Sequence, residues 1–224
     1  MNHAIVIAVR PPIVGQAGMS FHKHADERTC YDLYTSYIEE LALLVQTSGT
    51  QDLWLSCEDH YQSTLVQQRF PHLKRYFITP KTPRDYLPTI LHQACIEEEY
   101  KTALILLAEF SFIAPDTITK YQKLLVSNAR TMILFSHDGN TLDAVMTNFP
   151  FQHIYQDIIW QKTDTLQQLT NVCKDAGISH KINKTDLDVL ANKFPNEKFT
   201  SYFPRTYAII RRQFTHLGIA TLPN

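Results

Sequence analysis

The sequence predicts an α/β fold: a three-layer, open, mostly parallel sheet with helices on both faces. Two observations carry that expectation. Apolar runs of strand length, at residues 4–9, 53–57, 75–79, 103–108 and 131–136, alternate with stretches whose apolar residues recur at three- and four-residue steps. Strand and helix alternating at this pitch make βαβ units, and hence a parallel sheet covered on both sides. A third observation, only 6 Gly and 11 Pro in 224 residues, favours a helix-rich chain over a β-sandwich.

The first run, Ala4-Ile5-Val6-Ile7-Ala8-Val9, breaks at the loop Arg10-Pro11-Pro12-Ile13-Val14-Gly15-Gln16-Ala17-Gly18. A long helix begins near Ala25, with Cys30, Leu33, Tyr34, Tyr37, Ile38, Leu41, Leu44 and Val45 forming one apolar stripe. A strand that ends in a Pro/Gly loop and feeds a helix builds the floor of a ligand crevice in open α/β sheets. This loop lacks the Lys and hydroxyl residue of a phosphate-gripping loop.

A shorter helix over 61–70 stops at Pro71, and another over 86–100 places Leu87, Ile90, Leu91, Ala94 and Cys95 on one face. The helix over 115–128 opens with Pro115 in its first turn and Asp116 where the macrodipole favours an acid. After residue 136 the rhythm changes. His137-Asp138-Gly139-Asn140 and a run over 141–146 read as a hairpin-like excursion, followed by a helical piece near 151–157. Thr163 suits the N-cap of a helix over 164–175, and Gly177 its stop. A short strand over 178–182 and an amphipathic helix over 184–194, capped by Thr185 or Asn183, complete a domain spanning 1–194. Residues 195–224 are aromatic and basic, and read as an extra helix docked on that domain. Phe203, Tyr207, Ile210 and Phe214 form its stripe, flanked by Arg205, Arg211 and Arg212.

Composition narrows the function. Lys+Arg of 21 against Asp+Glu of 22 gives a net charge of −1, so no basic field exists to attract nucleic acid. A hydrophobic share of 44% argues against disorder. Cys30, Cys57, Cys95 and Cys173 are far apart, as in a cytoplasmic protein with reduced thiols. Met1-Asn2-His3 lacks the basic region of a secretory leader, and no apolar run reaches the ~20 residues of a membrane span. Hydrolase, NTPase, zincin and dinucleotide motifs are absent.

The order of landmarks resembles a family: the small bacterial glycosyltransferase-like proteins of the nucleotide-diphospho-sugar transferase (GT-A) superfamily, near its molybdopterin-nucleotidyltransferase-like branch. The family's opening Lys-Ala-Pro-x-x-Gly loop with Lys-Thr-Arg corresponds to 10–20, which ends Gly18-Met19-Ser20, and its Leu-Tyr pair to Leu33-Tyr34. Its Gly-x-Asp-x-Pro metal turn corresponds to Leu107-Ala108-Glu109-Phe110-Ser111, and its Asp-Gly-Gly-Tyr to Asp138-Gly139-Asn140-Thr141. Its Trp-Ser-Thr helix start corresponds to Trp160-Gln161-Lys162-Thr163. The late Asp-x-Asp falls on His180-Lys181-Ile182-Asn183, without a carboxylate.

The resemblance implies transfer of a sugar from a nucleotide-diphospho-sugar donor, in a site that has lost two phosphate-facing cations. It implies nucleotide or phosphate contacts from Arg10, Gly15, Lys23, Asp138 and Gly139, with Glu109 holding a divalent Mg or Mn ion. Lys23, in His22-Lys23-His24, would replace the lost cations. Each residue also has a plainer reading. Asp138-Gly139 suits a two-residue hairpin turn, Glu109 a solvated carboxylate, and Arg10 a snorkelling side chain. His22-Lys23-His24 suits a flexible loop, Trp160 a core or rim anchor, and Glu58-Asp59 in Cys57-Glu58-Asp59-His60 a helix start. Two functions stay open: a metal-dependent glycosyl- or nucleotidyltransferase, or an inactive relative serving as a binding or assembly module. In the second, the C-terminal extension supplies a surface for a protein partner or self-association.

Overall fold

The computed structural model describes residues 3–18, 21–22, 25–48, 51–73, 75–79, 83–107, 113–128, 130–155, 158, 164–184 and 197–216. Seven strands form one sheet: β1 (His3–Ala8), β2 (Gln51–Cys57), β3 (Tyr76–Ile78), β4 (Thr102–Leu106), β5 (Thr131–Ser136), β6 (Ala144–Thr147) and β7 (Ser179–Lys184). Their order is β3-β2-β1-β4-β6-β5-β7. β6 runs antiparallel to β4 and β5, and every other pair is parallel. The five expected central runs thus share one largely parallel sheet.

Alternation along β1 shows why both faces need cover. Ile5 and Ile7 enter one apolar core with α1 (Glu27–Ser48), α2 (His60–Arg69) and α4 (Pro115–Ser127). Ala4 and Val6 enter the other with α3 (Pro83–His92) and α5 (Thr165–Asp175). Leu33, Tyr34, Tyr37 and Ile38 of the predicted α1 stripe are at most 1% exposed. Each such Leu or Ile contributes about 1.5–3 kcal/mol relative to exposure. No described helix is long and apolar enough to cross a membrane.

Three expectations need correction. The helix read over 86–100 ends at His92 and continues as a π-helical turn over Gln93–Glu97, closed by Glu98 N–H donating to the Gln93 carbonyl at 2.9 Å. The hairpin-like run read over 141–146 becomes strand only at Ala144, because Thr141 is held by Asp138. Asp138-Gly139 is therefore part of a longer 137–143 connection, not a two-residue turn. The N-cap of α5 is Asp164 rather than the expected Thr163, and the predicted helix over 184–194 falls outside the described residues apart from Lys184, the last residue of β7.

The C-terminal segment forms two helices, α6 (Glu197–Tyr202) and α7 (Pro204–His216), where one was read. Phe203, between them, stacks on Tyr37 of α1 at 5.3 Å and on Phe199 at 4.9 Å. Phe203 and Ile210 are buried against the α1 face. Glu40, 7% exposed, caps α7 from α1: its carboxylate accepts from Arg205 N (2.6 Å), Thr206 N (3.0 Å) and Thr206 Oγ1 (2.6 Å). An acid at a helix N-terminus satisfies donors that have no intrahelical partner. Beside it, Glu39 accepts from Arg69 Nη1 (2.7 Å) and Arg205 Nη2 (2.8 Å).

Gly18 allows the loop after β1 to lie on α1. Its φ is +69°, and a Cβ there would stand 2.4 Å from the Cys30 carbonyl oxygen. Gly177 ends α5 at φ +64° with open space around it. Gly18→Ala is expected to lower stability by about 3 kcal/mol or more, and Gly177→Ala by only about 1 kcal/mol, in denaturant titrations. Glu40→Ala, which strands three donors of α7, two of them buried, is expected to lose about 3 kcal/mol, and Glu40→Gln about half as much. Faster protease cleavage near residue 204 would report the undocked α7 in Glu40→Ala.

Candidate functional site

In the order β3-β2-β1-β4 the chain reverses direction of travel across the sheet between β1 and β4. This switch point, beyond the carboxyl ends of those two strands, is where open α/β sheets form their ligand crevice.

The exit from β1 is fixed by two side chains. Gln62 Nε2 donates to the Val9 carbonyl at 2.6 Å, and Arg10 N–H donates to the Tyr34 hydroxyl at 2.7 Å. Gln62, 4% exposed, also accepts from Glu58 N at 2.6 Å through its side chain, and its backbone N–H donates to Asp59, the N-cap of α2. One side chain thus ties the ends of β1 and β2 to the start of α2. Held this way, the backbone at Arg10 is rigid while its side chain stays in solvent. Glu58 and Asp59 fill the helix-start role read for them.

The floor beside this exit is polar. Ser56 and Thr79 share a 2.8 Å hydroxyl–hydroxyl bond at the ends of β2 and β3. The Tyr86 hydroxyl lies buried beside Ser56 without a well-formed hydrogen bond. Burial above all, then Cys57 and Glu58, hold that phenol protonated, with Ser56 and then Arg10 opposing. Burial pushes the Cys57 thiol up to about 12, so it stays a neutral thiol rather than a nucleophile.

Past Arg10, Gly15 turns the loop at φ +86° and brings it against the Glu27 carboxylate. Asp26 accepts from Thr29 N and Thr29 Oγ1, closing the start of α1 with an anion. The donors that a phosphate would use at that helix start are in part already satisfied.

Further along this edge, β5 ends at Ser136, followed by His137 and Asp138. The Asp138 carboxylate is consumed by its own loop, accepting from Asn140 N (2.8 Å), Thr141 N (2.7 Å), Thr141 Oγ1 (2.8 Å) and Ser136 Oγ (3.2 Å). Burial opposes its ionisation, but the Thr141 and Asn140 bonds and the neighbouring His137 outweigh it. They hold the carboxyl well below the usual carboxylate range. Gly139 follows at φ +84° with open space around its Cα. His137 Nδ1 stands 2.9 Å from both oxygens of Asp143, whose side chain is 4% exposed, and its Nε2 lies 3.7 Å from Asp138. A buried carboxylate that fixes one imidazole nitrogen is the way an acid–base histidine is oriented.

Arg10 and Asp138 therefore follow the carboxyl ends of β1 and β5, strands three spacings or about 14 Å apart in the sheet. Lys23, Glu109 and Trp160 lie outside the described residues. Among the described residues, no three His, Cys, Asp or Glu side chains gather into a set that would hold a metal ion. Sequence reading missed Gln62, His137 as a held imidazole, and Asp143. Asp143 offered one signal, an acid immediately before an apolar run.

Comparison with solved structures bears on this edge. A crystal structure from Desulfovibrio desulfuricans, assigned as a nucleotide-diphospho-sugar transferase, superposes with a TM-score of 0.74, covering 94% of this chain and 97% of that one at 12% identity. This is the nucleotide-diphospho-sugar transferase fold. The 4-diphosphocytidyl-2C-methyl-D-erythritol synthase of Anaerococcus prevotii shares the fold more distantly, with a TM-score of 0.52, 11% identity and 97% and 98% coverage. No protein-family model and no curated protein matches the sequence. Identities this low establish the nucleotide-diphospho-sugar transferase fold alone.

Asp138 makes a pH test of the loop. Its folded-state pKa lies below its unfolded value, so it contributes stability above about pH 4 and loses that contribution as pH falls. Asp138→Ala is expected to melt earlier than the parent chain at neutral pH, by an amount worth about 1 kcal/mol after solvent screening. The gap should close as the pH drops below about 4 in thermal melts followed by circular dichroism. A gap that is the same in acid and at neutral pH contradicts the assignment.

Proposed function

We propose that this chain binds a nucleotide-diphospho-sugar along the carboxyl edge of its sheet and transfers the sugar to an acceptor. The observation that carries the reading is the switch point between β1 and β4, with the exposed Arg10 side chain rising from a backbone pinned by Gln62 and Tyr34. A guanidinium on a rigid strand end is suited to a diphosphate, which it can meet with paired charge-assisted bonds. Lys23, from the same loop, is the second cation of this reading. Gly15 and Gly139 supply turns that keep backbone close to the nucleotide, and Asp138 shapes the loop that presents Gly139.

In this reading Glu109, three residues beyond β4 in sequence, contributes the carboxylate for a divalent Mg or Mn ion. When bound, that ion neutralises diphosphate charge. During transfer the acceptor oxygen bonds to the sugar carbon as the bond from that carbon to the diphosphate breaks. His137, steadied by Asp143, is the group on this edge suited to take the acceptor's proton. The proposal is of a cytoplasmic protein with a nucleotide-sugar as its small-molecule partner.

One observation favours a second reading. Asp138 spends its carboxylate on its own loop, and Glu27 faces Gly15, so part of the phosphate-facing surface is already satisfied or negative. In that reading the fold persists as a non-catalytic binding module. Calorimetry with UDP-glucose, GDP-mannose and CDP-linked donors, with and without manganese, separates the cases. The transferase reading expects saturable binding weakened about tenfold or more by Arg10→Ala, and slow release of nucleoside diphosphate. Binding without turnover supports the module. Absence of binding to every donor overturns both.

A further inference from the structure

A second concavity opens at the opposite, amino edge of the sheet. Its position follows from the topology: Arg130 precedes β5, Ile178 precedes β7, and Phe149 follows β6, which runs the other way. Its volume of about 580 Å³ is that of a small-ligand site. Phe149 and Phe151 meet edge to face at 5.1 Å along one wall. Ile96 and Phe149 are 51% and 40% exposed, high for apolar side chains beside a cavity.

The one permanent charge among the described lining residues is positive. Arg130, His92 and His153 line it, and none of the described lining residues is acidic. His92 Nε2 lies 3.8 Å from Glu97, outside the lining. Arg130 makes no ion pair among the described residues, and its guanidinium lies over the Phe149 ring at 5.4 Å.

The backbone adds an independent observation. Of the three described non-glycine residues with left-handed φ, two line this cavity: Arg130 at 52° and Phe151 at 43°. An aromatic residue rarely adopts that conformation, and such strain collects at ligand clamps and active sites.

We propose that this cavity binds a small aromatic anion, a carboxylate or sulfonate carried on a one- or two-ring body. The ring packs against Phe149, Phe151 and Ile178, and the anion pairs with Arg130 at the mouth. Aromatic walls select the body and the unpaired guanidinium selects the charge. The site is separate from the carboxyl-edge crevice and stands whatever the donor there.

Fluorescence titration with anilinonaphthalene sulfonate tests it on the full chain. Saturable binding is expected, weakened about tenfold or more in Arg130→Gln. Phenylnaphthylamine, with the same rings and no sulfonate, should bind both proteins equally. Ala176→Trp, an exposed position at the rim, should abolish binding of both dyes while leaving Tm unchanged. Naphthoate should displace the sulfonate dye, and decanoate at the same concentration should not. Undiminished dye binding in Arg130→Gln or in Ala176→Trp overturns the proposal, as does displacement by decanoate alone.

Discussion

β1 is hydrogen-bonded along both edges, to β2 and to β4, and apolar on both faces. Its backbone groups are satisfied by neighbouring strands, and its side chains need two apolar layers, one on each side. From that requirement follow the three layers, with α1, α2 and α4 on one face and α3 and α5 on the other. The parallel pairing on both edges also puts the carboxyl ends of β2, β1 and β4 side by side. The crevice is a by-product of burying one strand completely.

The carboxyl edge is built mainly to hold its own loops. Asp26, Asp59 and Asp138 each spend oxygens on nearby backbone amides, and Asp143 on His137. Carboxylates used this way order the loops at the rim without ligand. Among the described residues near the switch point Arg10 presents an exposed side chain, and across the edge His137 is oriented by Asp143. A pre-ordered rim with few outward groups gives geometric selectivity before chemical selectivity.

Legibility in the sequence followed the range of the interactions. β1, β2, β4 and β5 were readable because strands covered on both faces become uninterrupted apolar runs, a local signal. Gly177 and Pro115 were readable because helix ends impose local backbone demands. The start of β6 was not, because Asp143 and Leu142 belong to a loop set by Asp138. The π-turn after His92 was not, since its extra residue leaves the apolar spacing helix-like. At the candidate site, the position of Arg10 and Asp138 just past strand ends was legible in the sequence. Gln62 could not: its partner Val9 is 53 residues away, and a single glutamine on a helix has no periodic signature.

The Glu40 cap also orders events in time. Its partners, the amides of Arg205 and Thr206 and the Thr206 hydroxyl, lie 165 to 166 residues downstream. While the chain is being synthesised, α1 and the sheet can assemble long before residue 206 exists. Through that interval the Tyr37 face of α1 stands uncovered and Glu40 must remain in water. A ribosome-bound intermediate therefore has one apolar, acid-marked flank open to chaperones, and only the arrival of Phe203 and Thr206 closes it.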